Sequence, residues 1–287
     1  MKKFYQYRLV WPALFLYSVF FVIPAIIGIG YSFTDWSTFH NSVSFVGLDN
    51  FVKIFQDREL SRSLVNTLKY AVVVVIFKNG LGLLLAIAVN TKLKGRNIFR
   101  MIFYVPAVIS TIAVGLIFTQ ILHPNGMLNH VLELVGLPFL QQRWLVDSKI
   151  IMYSIAAVSI WQWTGYHMTI YLAGIQGIDE TFYEAARIDG ATFLQELRYV
   201  MIPLLRSSIN INVIFSLIGG IKVFSEVFVL TNGGPGSASQ VLATEVFKKF
   251  GEGNWGLGTA LNTVLLIFVT IICVPLLGVM RKQEVEA

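Results

Sequence analysis

Charged residues are scarce in this chain: Asp, Glu, Lys and Arg make up 13% of its 287 residues, while 55% are hydrophobic. In an ordinary soluble domain about a quarter of the residues are charged. The 22 Lys and Arg exceed the 16 Asp and Glu and give a net charge of +6, but they form no basic cluster of the kind that binds nucleic acid. The composition therefore predicts a membrane protein without a nucleic-acid partner.

Cysteine and histidine are also rare. Cys273, the single cysteine, lies in an apolar run and can form no intramolecular disulfide. The histidines, at positions 40, 123, 130 and 167, lack the spacing of metal ligands. The sequence contains neither a GxxxxGK[ST] phosphate loop nor a Ser-His-Asp arrangement. We therefore expect no enzymatic activity, catalytic residue, metal site or bound cofactor in this chain, so that any ATP would be hydrolysed by another subunit.

Long apolar runs dominate what is present. A bilayer core about 30 Å thick requires about 20 apolar residues in a helix, and six runs meet that length. We predict an all-α integral membrane protein in which residues 1–287 form a single domain with six transmembrane helices. The predicted spans are 9–33, 65–90, 100–122, 150–174, 206–230 and 258–280.

Basic residues beside these runs indicate the orientation of the chain. Twelve Lys and Arg flank the spans on one side and seven on the other, and cytoplasmic loops usually carry the excess. An even number of spans places both termini on the same side. We therefore predict a multi-pass protein of the cytoplasmic (inner) cell membrane, with both termini and the polar loop at about 175–205 in the cytoplasm.

The loop at 175–205 carries several helix signals. Thr181 with Glu184, and Thr192 with Gln195, both fit capping boxes, in which the two side chains satisfy each other's free backbone donors. Gly190 lies between them and can adopt the left-handed conformation that ends a helix. The pattern predicts two short helices joined at a turn, which we call the elbow (residues 175–205). A well-capped connecting loop without a partner would show the same pattern.

The spacing within the elbow resembles a known family. Glu184-Ala185-Ala186, followed by Gly190 and then by Val200-Met201-Ile202-Pro203, is similar to the EAA loop of binding-protein-dependent ABC importer permeases. Two positions differ conservatively, since Val200 and Ile202 stand where the family usually has Ile and Leu. Pro203 also predicts that the second elbow helix ends or bends there.

The resemblance extends over nearly the whole chain. Tyr104-Val105-Pro106, the segment 124–129 and the segment 230–236 are similar to sugar-transporting members of the family. The last of these resembles the first permease subunit of the maltose and glycerol-3-phosphate branch. The resemblance implies a type I importer permease fold and the import of a sugar, with an oligosaccharide favoured and glycerol-3-phosphate as the alternative.

The resemblance also implies partners and residue roles. The expected partners are a second homologous permease subunit in a heterodimer, two ATPase subunits that use ATP and Mg, and an extracytoplasmic sugar-binding protein. The elbow would dock into an ATPase subunit and move with it. The residues that would carry this ATPase coupling are Glu184, Ala185, Ala186, Asp189, Gly190 and Pro203.

Polar side chains inside the apolar runs are candidates for a substrate path, because a charge in hydrocarbon costs at least about 2.5–3.5 kcal/mol. Lys222 and Glu226, four residues apart, would meet on one helical face and neutralise each other; alternatively, Glu226 lines the path. Aromatic and amide groups suit a sugar, although helix packing or an interfacial belt is the favoured explanation, since Trp and Tyr are common at bilayer boundaries. The candidates are Trp161, Gln162, Trp163, His167, Asn210, Lys222 and Glu226.

Two other function classes fit parts of the sequence. An ion-coupled secondary transporter would use Lys222, Glu226 and His167 to move protons, and it would need no ATPase. An integral-membrane enzyme acting on lipid or sugar would need converging acid, base or metal groups, which the sequence does not suggest. We therefore favour the ATP-driven importer.

Overall fold

The computed structural model describes residues 2–39, 42–91 and 95–285, with the side chains of residues 10–280 in these ranges. The described residues are mostly helical and contain no β-strand beyond an isolated bridge between Thr34 and Phe45, which confirms the predicted all-α fold. The α-helices are α1 Lys2–Tyr17, α2 Ile23–Tyr31, α3 Asp49–Gln56, α4 Arg58–Asn90, α5 Arg96–Val108, α6 Thr111–Ile121, α7 Met127–Leu134, α8 Ile151–Gln176, α9 Glu180–Ile188, α10 Phe193–Gln195, α11 Ile202–Leu204, α12 Arg206–Ile221, α13 Ser225–Thr231, α14 Leu242–Gly251 and α15 Trp255–Val285. Two π-helical turns, Ser18–Val22 and Glu196–Met201, join α1 to α2 and α10 to α11.

By length and composition, three helical segments of the described chain are long and apolar enough to cross a membrane: Val10–Tyr31, Arg58–Asn90 and Trp255–Met280. They correspond to the first, second and sixth predicted spans. Two bent helix pairs raise the number to five if each pair is one span. The fourth predicted span corresponds to α8, whose 26 residues suffice in length but whose polar side chains lower its hydropathy.

The third and fifth predicted spans are not continuous helices. The third is bent by 95° between α5 and α6, where Ile109 and Ser110 leave the helical conformation. The fifth ends at Ile221, two non-helical residues follow Lys222, and α13 then begins at Ser225. Each of the predicted spans 100–122 and 206–230 therefore contains a break in its helix.

The chain divides into two compact units, Met1–Ser61 with Glu245–Ile267, and Arg62–Thr244 with Phe268–Ala287. In the first unit, Asn50 fixes the turn that follows α2, since its amide donates to the carbonyl oxygens of Ser32 and Thr34 at 3.0 and 2.8 Å. The rings of Tyr31 and Trp36 pack against each other with centroids 4.3 Å apart. This unit contains the first candidate span and most of α14.

The second unit contains the elbow and all seven candidate path residues, and it is organised around α8. Two groups of buried apolar side chains hold it together. One joins α4, α8 and α13 through residues such as Tyr70, Ile155 and Val227. The other joins α4, α8 and the end of the elbow through residues such as Met168 and Leu205. The elbow therefore connects directly to a packed helical core.

Gly165 allows α5 and α8 to approach closely, since a Cβ at this position would overlap the carbonyl group of Phe103. Gly80, in contrast, has no atom within 4 Å of the corresponding position. We expect Gly165→Ala to destabilise the protein by about 1–3 kcal/mol, because the overlapping atoms are backbone and α5 must move. The thermal unfolding midpoint of the purified protein in detergent measures this effect.

Gly80→Ala is the matched control. Alanine is favoured over glycine in a helix by about 0.8–1 kcal/mol, so this variant should be as stable as the wild type or slightly more so. Equal midpoints for the two variants would contradict the close contact at Gly165.

Candidate functional site

The first helix of the elbow, α9, begins at a cap different from the predicted one. Asp179 is the N-cap, and its carboxylate accepts hydrogen bonds from the Thr181 backbone N–H at 2.9 Å and the Thr181 hydroxyl at 2.8 Å. These hydrogen bonds lower the pKa of the Asp179 carboxyl. The predicted capping box of Thr181 with Glu184 is therefore wrong, because an ionised carboxylate two residues upstream is the stronger acceptor. Glu184 is left exposed on α9.

The second half of the elbow has the structure that the sequence predicts. Thr192 and Gln195 form the predicted capping box, in which the Thr192 backbone N–H donates to Gln195 Oε1 at 2.7 Å. Gly190 has a φ of +81°, the left-handed conformation expected of a residue that ends a helix. Pro203 lies in α11, which stops one residue later, and the chain then bends by 71° into α12.

An ion pair joins the two arms of the elbow. Arg187 in α9 and Glu196 at the start of the second π-helical turn approach to 2.9 Å. The Glu196 carboxylate raises the pKa of Arg187 by hydrogen bonding and by its charge. Neither residue was predicted to contribute to the elbow, and no local pattern indicates a pair nine positions apart across a turn.

Several large apolar side chains of the elbow are exposed among its polar ones. They include Ile188 at 86% and Leu194 at 73%, and a Cβ at Gly190 would have no atom within 4 Å. Exposed apolar side chains in this number are typical of interaction sites. The exposed apolar residues of the elbow are Phe182, Ile188, Phe193, Leu194, Tyr199, Ile202 and Leu204.

The predicted pairing of Lys222 with Glu226 is wrong. Because the helix breaks between them, they do not share a helical face, and among the described residues no ion pair joins them. Instead, Lys78 donates to the Ser159 hydroxyl at 3.0 Å, and that hydroxyl donates to Glu226 at 3.3 Å. Lys78 and Ser159 are buried, so this chain of hydrogen bonds links α4, α8 and α13 inside the bundle.

Gln162 and His167 both lie on α8, and both are buried. The Gln162 amide N–H donates to the free carbonyl of Ile109 at 2.9 Å, at the break between α5 and α6, while its Oε1 has no partner. His167 Nδ1 lies 2.7 Å from Oδ1 of Asn212, whose amide nitrogen has no partner. A buried acceptor and a buried donor thus remain unsatisfied, and such groups are costly unless a ligand or water binds them.

The remaining candidates do not converge on these groups. Trp161 packs against Phe118, with ring centroids 5.0 Å apart, and lines an apolar cavity of about 620 Å³. Trp163 contacts Tyr166 edge to face, and Asn210 lies on α12. Of the seven predicted path residues, Gln162, His167 and Glu226 form hydrogen bonds to polar groups of other helices or of the α5–α6 break, whereas the aromatic residues pack against neighbouring side chains.

The protein contains a bundle of long apolar helices, and two of its predicted spans are broken. Polar side chains lie inside this bundle, which is typical of a polytopic membrane protein of the transport class. Comparison with known proteins gives the family: residues 78–282 match the family described as "Binding-protein-dependent transport system inner membrane component". The chain belongs to this family, as its resemblance in the elbow and elsewhere predicts.

Two relatives and one solved structure illustrate the match. The chain is 37% identical to the probable ABC transporter permease protein YurN of Bacillus subtilis, covering 93% of this chain and 92% of the relative. It is 32% identical to the probable starch degradation products transport system permease protein AmyD of Thermoanaerobacterium thermosulfurigenes, covering 96% and 93%. The fold is similar, with a TM-score of 0.83 over 98% of this chain and 96% of the other and 24% identity, to a chain of a bacterial ABC transporter involved in the import of the acidic polysaccharide alginate.

Proposed function

We propose that this chain is the permease subunit of an ATP-driven ABC importer that moves a sugar, in our interpretation an oligosaccharide, across the cytoplasmic membrane. Support comes from the family, from the starch-product transport named for one relative, and from the alginate import named for the structural neighbour. Glycerol-3-phosphate is the alternative substrate. The observation that carries the proposal is the elbow, in which two short helices with capped N-termini meet at a turn and expose apolar side chains.

In this proposal the elbow and both termini face the cytoplasm, where ATP is available. The elbow docks into one of two ATPase subunits, which use ATP and Mg, and the heterodimer is completed by a second homologous permease subunit. An extracytoplasmic binding protein delivers the sugar. The small side chains of Ala185 and Ala186 let the ATPase subunit approach the α9 backbone closely. The exposed Glu184 carboxylate pairs with a basic residue of the ATPase.

Transport would follow from alternating access between outward-open and inward-open states. ATP binding can shift this equilibrium only by as much as it stabilises one state over the other. We propose that the buried Gln162 oxygen and Asn212 nitrogen, which lack hydrogen-bond partners, become an acceptor and a donor for sugar hydroxyls when the bundle opens.

Proteoliposomes that hold the chain with its second permease and ATPase subunits test the proposal. With the binding protein present, we expect uptake of a labelled oligosaccharide that requires hydrolysable ATP. A parallel measurement with labelled glycerol-3-phosphate distinguishes the two substrates. Uptake driven by an ion gradient in vesicles loaded with a non-hydrolysable ATP analogue would overturn the proposal in favour of a secondary transporter.

A further inference from the structure

The ion pair between Arg187 and Glu196 has the geometry of a clamp. Arg187 Nε donates to Glu196 Oε1 at 2.9 Å, and Nη2 of the same guanidinium donates to Oε2 at 3.4 Å. The planar guanidinium thus meets both carboxylate oxygens, which fixes orientation as well as distance. In the part of the chain that the structure describes, no other side-chain hydrogen bond joins α9 to Glu196–Met201.

The two arms of the elbow do not fill the space beside the Arg187–Glu196 pair, because a cavity lies there. The cavity has a volume of about 330 Å³ and is lined by both residues of the pair together with Ile175, Tyr183, Phe193 and Met201. The Tyr183 hydroxyl is buried there without a hydrogen-bond partner. Tyr183 and Leu197, one on each arm, pack against the buried group that contains Met201. The cavity leaves the packing between the arms incomplete, so the ion pair contributes to the angle between them.

The burial of the two partners is unequal. The Arg187 side chain is 61% exposed, whereas that of Glu196 is only 11% exposed. An exposed partner makes a small contribution to folding, because water screens the pair. Without Arg187, however, a mostly buried carboxylate would lose its counter-charge and move toward water, which would change the position of the second arm.

We propose that Arg187 and Glu196 are positioning residues that hold the two arms of the elbow at a fixed angle. A docked ATPase subunit that moves the first arm would then move the second arm and α12 with it. This inference rests on the proposed function, since it assigns the pair a role in ATPase coupling. Arg187 is exposed on the same helix as Glu184, whereas the Glu196 side chain is largely buried. Loss of the Glu196 charge should therefore leave ATPase binding intact and lower the efficiency of coupling.

The test is the ratio of sugar transported to ATP hydrolysed in reconstituted complexes. Arg187→Gln and Glu196→Gln should each lower this ratio by about fivefold or more, the lower range of typical coupling effects, while the ATPase subunits still co-purify. The charge-swapped variant Arg187→Glu/Glu196→Arg should recover most of the ratio. Arg198→Gln is the matched control, since Arg198 lies in the same loop over the Tyr199 ring and pairs with no carboxylate in the described chain.

A second measurement covers the case in which the swapped variant does not assemble. Spin labels at Phe182 and Tyr199, one on each arm and both exposed, report the distance across the elbow in a Cys273→Ala background. Arg187→Gln should broaden this distance distribution. Unchanged ratios and an unchanged distribution in the single variants would overturn the proposal. A wild-type complex that binds no ATPase subunit would instead contradict the proposed function itself.

Discussion

Replacing Glu184 by lysine is expected to abolish most sugar uptake while the protein stays folded and inserted in the membrane. Glu184 is exposed on α9 and makes no hydrogen bond or ion pair within the described chain, so its replacement removes only a solvent-screened attraction to Arg187. If its carboxylate pairs with a basic residue of the ATPase subunit, a lysine there repels that residue. Coupling free energies are typically about 1–3 kcal/mol, or 5–150-fold, and a charge reversal should lie toward the upper end.

The measurements are uptake and ATP hydrolysis by the reconstituted complex, with expression and thermal stability as checks on folding. Glu133→Lys, the same change at an exposed carboxylate on α7, should leave uptake near the wild-type rate. Gly190→Pro should resemble Glu184→Lys, because proline cannot adopt a φ of +81°. Wild-type uptake by Glu184→Lys would count against the assigned role.

Replacing Lys78 by methionine is expected to destabilise the protein strongly. Lys78 is 6% exposed and reaches Glu226 through the Ser159 hydroxyl, so its loss leaves a carboxylate inside the bundle without a counter-charge. Glu226 is only partly buried and is joined to Lys78 through a hydroxyl, so the cost should lie below the range of about 3–5 kcal/mol that is typical when one partner of a direct, fully buried pair is removed. The thermal unfolding midpoint in detergent should fall accordingly, with reduced expression in the membrane.

The double variant Lys78→Met/Glu226→Gln separates this effect from a simple loss of packing. Removing both charges should restore most of the stability, because a neutral amide can still accept from Ser159. Lys222→Met is the matched control, since Lys222 is exposed and its loss should change the midpoint little. Additive effects of the two single substitutions would mean that Lys78 and Glu226 do not interact.

Local signals of the sequence predicted local structure well. The capping box at Thr192 and the left-handed Gly190 were predictable, because each depends on a few adjacent residues. The cap of α9 was predicted at Thr181 instead of Asp179, where two acceptors compete for the same backbone donors. The apolar runs gave the approximate positions of the long helices, since length and hydropathy determine them, but three segments, or five if each bent pair is one span, meet the length and hydropathy of a membrane span in the described chain.

Contacts between distant parts of the chain were not predictable. Lys78 and Ser159 are 81 positions apart, and Ser159 and Glu226 are 67 apart, so only the packing of α4, α8 and α13 brings them together. The pairing of Lys222 with Glu226 was predicted from a helical spacing that the chain interrupts. Gly219 and Gly220 stand directly before Ile221, and glycine pairs are a common cause of helix kinks, so the sequence did carry a local signal for this break.

The broken helices have a mechanical consequence. A continuous helix across a membrane can alter the width of an interior cavity only by tilting as a whole, and its neighbours resist such tilting. A helix divided at Ile109–Ser110, or at Lys222–Phe224, consists of two short rods, and rotation of a few backbone torsions displaces one rod while the other stays in place. The Gln162 amide satisfies the carbonyl that the first break exposes, so this articulation can exist within the bilayer without leaving that backbone group unpaired.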